Sequence, residues 1–328
     1  MGDVCRELAL PRAGLLLSGP VVVNIAGKRV LASLLDAGYK VDLELIKGTA
    51  KADLAKLVRI ARNFKFIVAV GGGKVIDIAK WVGTRLRIPF ISVPTAPSHD
   101  GIASPRATIF DSAGRHHSYA AQTPLAVVVD MDIISKAPYR MIAAGAADVI
   151  AKITAVADWK LSHEQTGEYL SEYAAAMALL SAEMVIGSAY SIRTLQERGL
   201  RNLVEALINS GIAMCIAGSS RPASGSEHLF SHALDAILPS KSSLHGEQCG
   251  IGSIMAAYLH GEAWQQIRDT LMELGAPTSA RELGIPADMI VRALVRAKDV
   301  RADRYTILHQ VNLSANQATR LAMATKII

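Results

Sequence analysis

Cysteine is scarce in this chain, with three in 328 residues, at Cys5, Cys215 and Cys249, far apart and without CxxC spacing. That argues against a disulfide framework, points to a reducing cytoplasm, and raises no expectation of a thiolate metal ligand. Aromatic residues make up only 5%. The 35 basic residues slightly outnumber the 29 acids and are scattered, with no basic run interleaved with aromatics, so no nucleic-acid partner is expected. The net charge of +6 is read as a solvated basic surface that also draws small anions. No apolar run approaches the roughly 18 residues of a membrane span. The opening "MGDVCRELALPRAG" mixes acids and bases before an apolar stretch broken by Gly19 and Pro20, unlike a signal or transit peptide. Arg6 stands where an N-myristoylation pattern needs Ser or Thr.

What is present is an ordinary globular composition, 51% hydrophobic and 20% charged, in a chain long enough for two domains. Two styles of sequence meet near residue 140. Before it, "LLLSG", "KVDLELI", "KFIVAVGGG", "PFISVPT" and "LAVVVD" read as buried parallel strands. Between two of them, "TAKADLAKLVRIARNFK" places Leu54, Leu57, Val58 and Ala61 at helical spacing, with Thr49 as N-cap. "ATIFDSAGRHHSYA" suggests an antiparallel insertion around an Asp111-Ser112-Ala113-Gly114 turn, with His116 and His117 on opposite faces near the surface. After it, Ala- and Leu-rich segments separated by Gly, Pro and polar breaks read as helices alone. The expectation is an α/β N-terminal domain, residues 1–140, with a doubly wound, mainly parallel sheet, and an all-α C-terminal domain, residues 141–328, with the active site in the cleft between them.

Two stretches of the first half carry chemistry. In "FKFIVAVGGGKVIDIAK" an apolar strand runs into Gly71-Gly72-Gly73, and a helix starts at about Lys74. Glycines let backbone approach a ligand, and free N–H groups at a helix start attract phosphate, although a tight connection would need the same residues. Val75 after Lys74 breaks a Walker A pattern, and no GxGxxG follows the first strand. In "ISVPTAPSHDGIASPRATI", Thr95, Ser98, Asp100 and Ser104 follow Pro94 at the expected carboxyl edge of the sheet, where open α/β folds place ligands.

In the second half, "PASGSEHLFSHALD" sets His228 and His232 one helical turn apart, "LHGEQCGIG" starts another helix at His245, and "GAADVIAK" sets Asp148 among apolar residues. A carboxylate there needs a partner or a metal. Asp, His and His with an open position suit a catalytic metal, while satisfied core histidines and a helix-start aspartate are the plainer alternatives.

These five segments, "GGGKVIDIAK", "PTAPSHDGIASPRA", "GAADVIAK", "PASGSEHLFSHALD" and "LHGEQCGIG", occur in the same order as in the iron-type alcohol dehydrogenase, glycerol dehydrogenase and dehydroquinate synthase-like superfamily. The chain resembles most specifically its sn-glycerol-1-phosphate dehydrogenase branch, over residues of about 15 to 265, with no confident match after about residue 270. The resemblance implies a dinucleotide site at Gly71, Gly72, Gly73, Lys74, Val75, Ile76 and Asp77, with further cofactor contacts at Thr95, Ala96, Pro97, Ser98 and Ser104. It implies Asp148, His228 and His245 as zinc ligands, with iron tolerating the same set. Asp100, Asp148 and His232 would serve as substrate-binding and catalytic groups. The implied reaction is NAD- or NADP-dependent interconversion of dihydroxyacetone phosphate and sn-glycerol 1-phosphate for archaeal membrane lipids, by a cytoplasmic homo-oligomer.

Asp42 or Glu44 would favour NAD through the ribose hydroxyl and Lys47 would accommodate NADP. Arg221 is a candidate for the substrate phosphate only by its place before the histidine helix. Other readings are a dehydrogenase of unphosphorylated polyols, a dehydroquinate synthase-like cyclase, a metal hydrolase, and a non-catalytic nucleotide-binding protein.

Overall fold

A computed structural model describes residues 1–48, 51–110, 116–238, 243–301 and 303–328. The chain divides into two compact units: Met1–Pro97 with Gly101–Ala137, and Ser98–Asp100 with Pro138–Ile328.

The first unit contains β1 (Ala13–Ser18), β2 (Lys40–Leu45), β3 (Phe66–Gly71), β4 (Phe90–Pro94), β5 (Arg106–Phe110), β6 (His116–Ala120) and β7 (Ala126–Val127). Five of these form a parallel sheet in the order β2-β1-β3-β4-β7. Leu15 to Leu17 of β1 and Ile67 to Val70 of β3 are fully buried, which is why these central strands read as continuous apolar runs. The edge strand β2 instead alternates partly buried and exposed residues over its first half. The order reverses between β1 and β3, so the carboxyl end of β3, with its glycines, lies at the topological switch point.

The helix α1 (Lys51–Ala61) buries Leu54, Leu57 and Ala61 and half-buries Val58, the stripe its spacing indicated. Thr49, the expected N-cap, lies outside the described residues. β5 and β6 form the expected antiparallel pair, from Arg106 opposite Ala120 to Phe110 opposite His116, with His117 exposed. The turn at 111–114 is likewise outside the described residues. A helix α2 (Gly73–Leu86) leaves the glycine turn one residue earlier than its sequence suggested.

The second unit is helical throughout its regular elements among the described residues. The helices that build the site are α3 (Tyr139–Ile150), α4 (Lys152–Thr166), α5 (Glu172–Ile186), α6 (Glu197–Ala217), α7 (Ser226–Ile237) and α8 (His245–His260). By length and composition α6 could cross a membrane, but half of its apolar window is buried and its Leu200, Leu203 and Leu207 lie in the interior. It is read as a core helix.

Small residues set the spacing of α3, α7 and α8. A Cβ built on Gly246 would overlap the backbone carbonyl of Ala144, and one on Gly252 would lie 2.8 Å from Glu227 Cα. These two glycines let α8 press backbone to backbone against α3 and α7. Arg140 of α3 adds an ion pair to Glu247 in the first turn of α8.

Candidate active site

In the first unit, the glycine turn is built for a visitor. Gly71 is tightly placed: a Cβ there would stand 3.0 Å from Val75 Cγ2, and that side chain would have to give way. Gly72 is different: a Cβ there meets nothing within 4 Å. It is also the N-cap of α2 and supplies no side-chain cap, so the amides that open the helix are donors suited to an anionic group such as a pyrophosphate. The Thr95 amide donates to the Gly71 carbonyl at 3.1 Å, binding the loop after β4 to the glycine turn.

Other expected cofactor contacts are placed unevenly. Thr95, Ala96 and Pro97 are buried beyond β4, Val75 and Ile76 are buried on α2, and Lys74 is exposed, with its ammonium 3.5 Å from the Lys47 carbonyl. Ser98 is half-buried and belongs to the second unit. Asp77 accepts from Lys80 Nζ at 3.2 Å and from the Thr108 amide at 3.1 Å. The Lys80 ammonium, fully buried, also donates to Ser104 Oγ at 3.3 Å and to the Arg106 carbonyl at 2.8 Å. Asp77 and Ser104 thus join a buried polar knot that anchors β5, a role not visible in the sequence. A cavity of about 440 Å³ at the end of β2 is lined by Glu44, Lys47, Asp53 and Leu57 among others. Asp42 lies two residues back, exposed.

In the second unit, Asp148, His228, His245 and Cys249 each offer a donor atom, all within 4.8 Å of one another. Asp148 comes from the end of α3, His228 from the first turn of α7, and His245 and Cys249 from one face of α8. One carboxylate oxygen and two imidazoles in a buried setting are a donor set that zinc or iron fits. Cys249 lies in this group although no CxxC spacing marks it, because spacing is no guide where a group is assembled from separate helices. Burial, then the nearby Asp148 and Glu227 carboxylates, push its thiol pKa well up, so as it stands it is a neutral SH.

Lys152 was also missed. It is fully buried, one turn after Asp148, and its ammonium lies 3.1 Å from Asp148 Oδ1 and 2.9 Å from Asp100 Oδ2. Asp148 Oδ2 accepts the Asp100 amide at 2.9 Å. Burial opposes the Asp148 charge, but the Lys152 ammonium above all, with that amide, outweighs it and holds the carboxyl well below its usual range. Burial, chiefly, lowers His245 well below the ordinary histidine value, so it stays neutral and able to bind metal.

Asp100 and His232 complete the expected substrate groups. Asp100 Oδ2 accepts from Ser210 Oγ at 2.9 Å as well as from Lys152. The His232 ring stacks 6.1 Å from that of His245 and lies 6.4 Å from that of His228, with His99 on the far side at 6.3 Å from His245. His99, adjacent to Asp100, is a fourth imidazole that sequence reasoning passed over. Arg221, the candidate for the substrate phosphate, is instead buried and bonded to Glu168, to the Tyr305 carbonyl at 2.8 Å and to Ser162 Oγ at 3.0 Å.

The model of the family described as iron-containing alcohol dehydrogenase matches residues 1–138. A glycerol-1-phosphate dehydrogenase (NAD(P)+) of Methanosarcina mazei is 51% identical, across 100% of this chain and 92% of that protein. This chain belongs to the glycerol-1-phosphate dehydrogenase family. A protein of the same name from Methanothermobacter thermautotrophicus is 48% identical, covering 100% of this chain and 94% of its own length. A glycerol dehydrogenase from Schizosaccharomyces pombe has the same fold, with a TM-score of 0.83 at 21% identity over 99% of this chain and 86% of that one. For a glycerol-1-phosphate dehydrogenase family member, the full-length match extends well past residue 270, where the motifs had given no guidance.

Proposed function

We propose that this chain is a metal-dependent oxidoreductase that reduces dihydroxyacetone phosphate to sn-glycerol 1-phosphate with NADH or NADPH, reversibly, supplying the backbone of archaeal membrane lipids. The observation that carries this is the 51% identity over the whole chain to a relative of that name. The donor set on α3, α7 and α8 and the open turn at Gly72 supply what the chemistry requires.

In this reading Gly71, Gly72 and Gly73 hold the cofactor pyrophosphate on the amides of α2, with Lys74, Val75, Ile76, Asp77, Thr95, Ala96, Pro97, Ser98 and Ser104 forming or bracing its site. Asp148, His228 and His245 hold the metal, zinc or iron, which when bound supplies Lewis acidity to the substrate oxygen. Asp100, fixed by Lys152 and Ser210, accepts a hydrogen bond from a substrate hydroxyl. His232 delivers the proton that the reduced carbonyl takes up, its imidazole being suited to proton transfer near neutrality. Glu44 and Lys47 share a cavity wall that fits use of both cofactors. We extend the reading to a cytoplasmic homo-oligomer, which light scattering of the purified protein tests.

The deciding experiment reduces dihydroxyacetone phosphate with each cofactor, with and without a chelator, and identifies the enantiomer formed. The sn-1 product, lost on chelation, is expected. The likeness to a glycerol dehydrogenase fold favours a second reading, oxidation of unphosphorylated glycerol. Equal or faster turnover of glycerol than of glycerol 1-phosphate would establish it instead. NADH fluorescence unchanged by the protein would return the hydrolase reading.

A further inference from the structure

Two buried relays end on the imidazoles of the candidate metal centre. Glu227 is fully buried, and its Oε1 lies 2.8 Å from His228 Nδ1 while also accepting the Gly225 amide at 2.6 Å. Its Oε2 accepts from Thr154 Oγ1 at 2.9 Å, a hydroxyl that also reaches the Ala151 carbonyl at 3.0 Å. Both carboxylate oxygens thus accept from neighbouring donors, so the contact between Oε1 and Nδ1 is filled by a proton on His228 Nδ1, and in the neutral ring that metal binding requires Nε2 keeps the lone pair. Nε2 lies 3.7 Å from Asp148 Oδ1.

The second relay reaches the same result by a longer path. The Gln248 amide nitrogen donates to Asp235 Oδ1 at 2.8 Å and to Ser243 Oγ at 3.0 Å, so its oxygen faces the other way. That oxygen accepts from Ser231 Oγ at 2.6 Å. The hydroxyl proton of Ser231 is thereby used, and toward His245 Nδ1, 3.2 Å away, Ser231 can only accept. His245 too carries its proton on Nδ1.

We infer that Glu227, and separately the Ser231–Gln248–Asp235 chain, are positioning residues that lock His228 and His245 in the Nδ1–H tautomer and so present two Nε2 lone pairs to the metal. This rests on the metal reading of the site. Outer carboxylate and hydroxyl partners of this kind orient ligating imidazoles and raise their basicity, and their loss costs about 10- to 100-fold in metal affinity.

The test uses zinc-loaded protein labelled with 15N-histidine, with His228→Gln and His245→Gln assigning the resonances. Both histidines should show a proton on Nδ1. A proton on Nε2 of either overturns the inference. Zinc affinity by chelator competition should fall about 10- to 100-fold in Ser231→Ala and Glu227→Ala, and less in Glu227→Gln, which keeps an acceptor oxygen. Glu227→Gln carries the test if Glu227→Ala does not fold. Unchanged affinity in both Glu227→Gln and Ser231→Ala, with the zinc-free proteins unfolding as the parent does, also overturns it. Failure of the parent protein to bind zinc would instead sink the metal reading, and the tautomers would then be judged by the nitrogen shifts of the zinc-free protein.

Discussion

Asp148 and His245 make the protein sensitive to acid in a defined direction. Each has a folded-state pKa below its ordinary value, 3.8 for the carboxyl and 6.5 for the imidazole. The unfolded chain therefore binds the extra proton first, and both groups lend stability that is lost as pH falls. His245 acts first, from its unfolded value near 6.5 downward, and Asp148 with Glu227 follow below their ordinary values of 3.8 and 4.5. Urea unfolding of the chelator-treated protein should lose up to about 1.4 kcal/mol per pH unit as the pH falls below about 6.5, and His245→Gln should flatten that slope. The paired histidines of α7 should separate by function. His228→Ala is expected to purify without metal by elemental analysis, whereas His232→Ala keeps the metal and loses about 10²- to 10⁴-fold in kcat. Retention of metal by both would leave His228 without its assigned part. The sequence made Asp148 visible as a carboxylate among apolar residues and His228, His232 and His245 as its candidate partners, and the family resemblance singled out His228 over His232. Lys152 and Cys249 each lie one turn from a named residue, at i+4, and helical spacing alone could have flagged them.

At the level of the helices, the centre depends on how closely α8 approaches α3. Gly246→Ala puts a Cβ into the Ala144 carbonyl, a backbone group that cannot turn aside as a side chain would. The helices must then separate, at a cost of about 1–3 kcal/mol from overpacking, and His245 moves away from Asp148. A lower urea midpoint together with weaker zinc binding is expected; full zinc affinity would show that the contact does not position the ligand. The strands were legible because buried parallel strands are continuous runs of Leu, Ile and Val, and α1 because its apolar stripe has helical period. The buried knot of Asp77, Lys80 and Ser104 was not legible, because its members lie on elements that meet only after β5 docks on α2.

For the whole molecule, the two kinds of site belong to different units, so they should be separable by mutation. The space above Gly72 accepts a side chain without a clash, and Gly72→Val should leave stability nearly unchanged. It should weaken NADH binding by at least about tenfold, about 1.4 kcal/mol, while metal content stays at the parent level. NADH titration by fluorescence beside elemental analysis checks both; undiminished cofactor affinity would remove the glycine turn from the cofactor site.

The sequence by itself determined the alternation of strand and helix, the change of style near residue 140 and the glycine turn, each written in local pattern, where periodicity, propensity and spacing act within a few residues. It also offered Asp148, His228, His232 and His245 as candidates, from which the family resemblance, not local pattern, singled out Asp148, His228 and His245 as donors. Tertiary structure alone decided the rest: that Arg221 is spent on Glu168, that Cys249 joins the donor group, and that Lys152 spans two carboxylates. Those outcomes depend on which groups meet across helices, and burial makes each meeting consequential, since a buried polar group must find a partner and a buried charge must find its counter-charge.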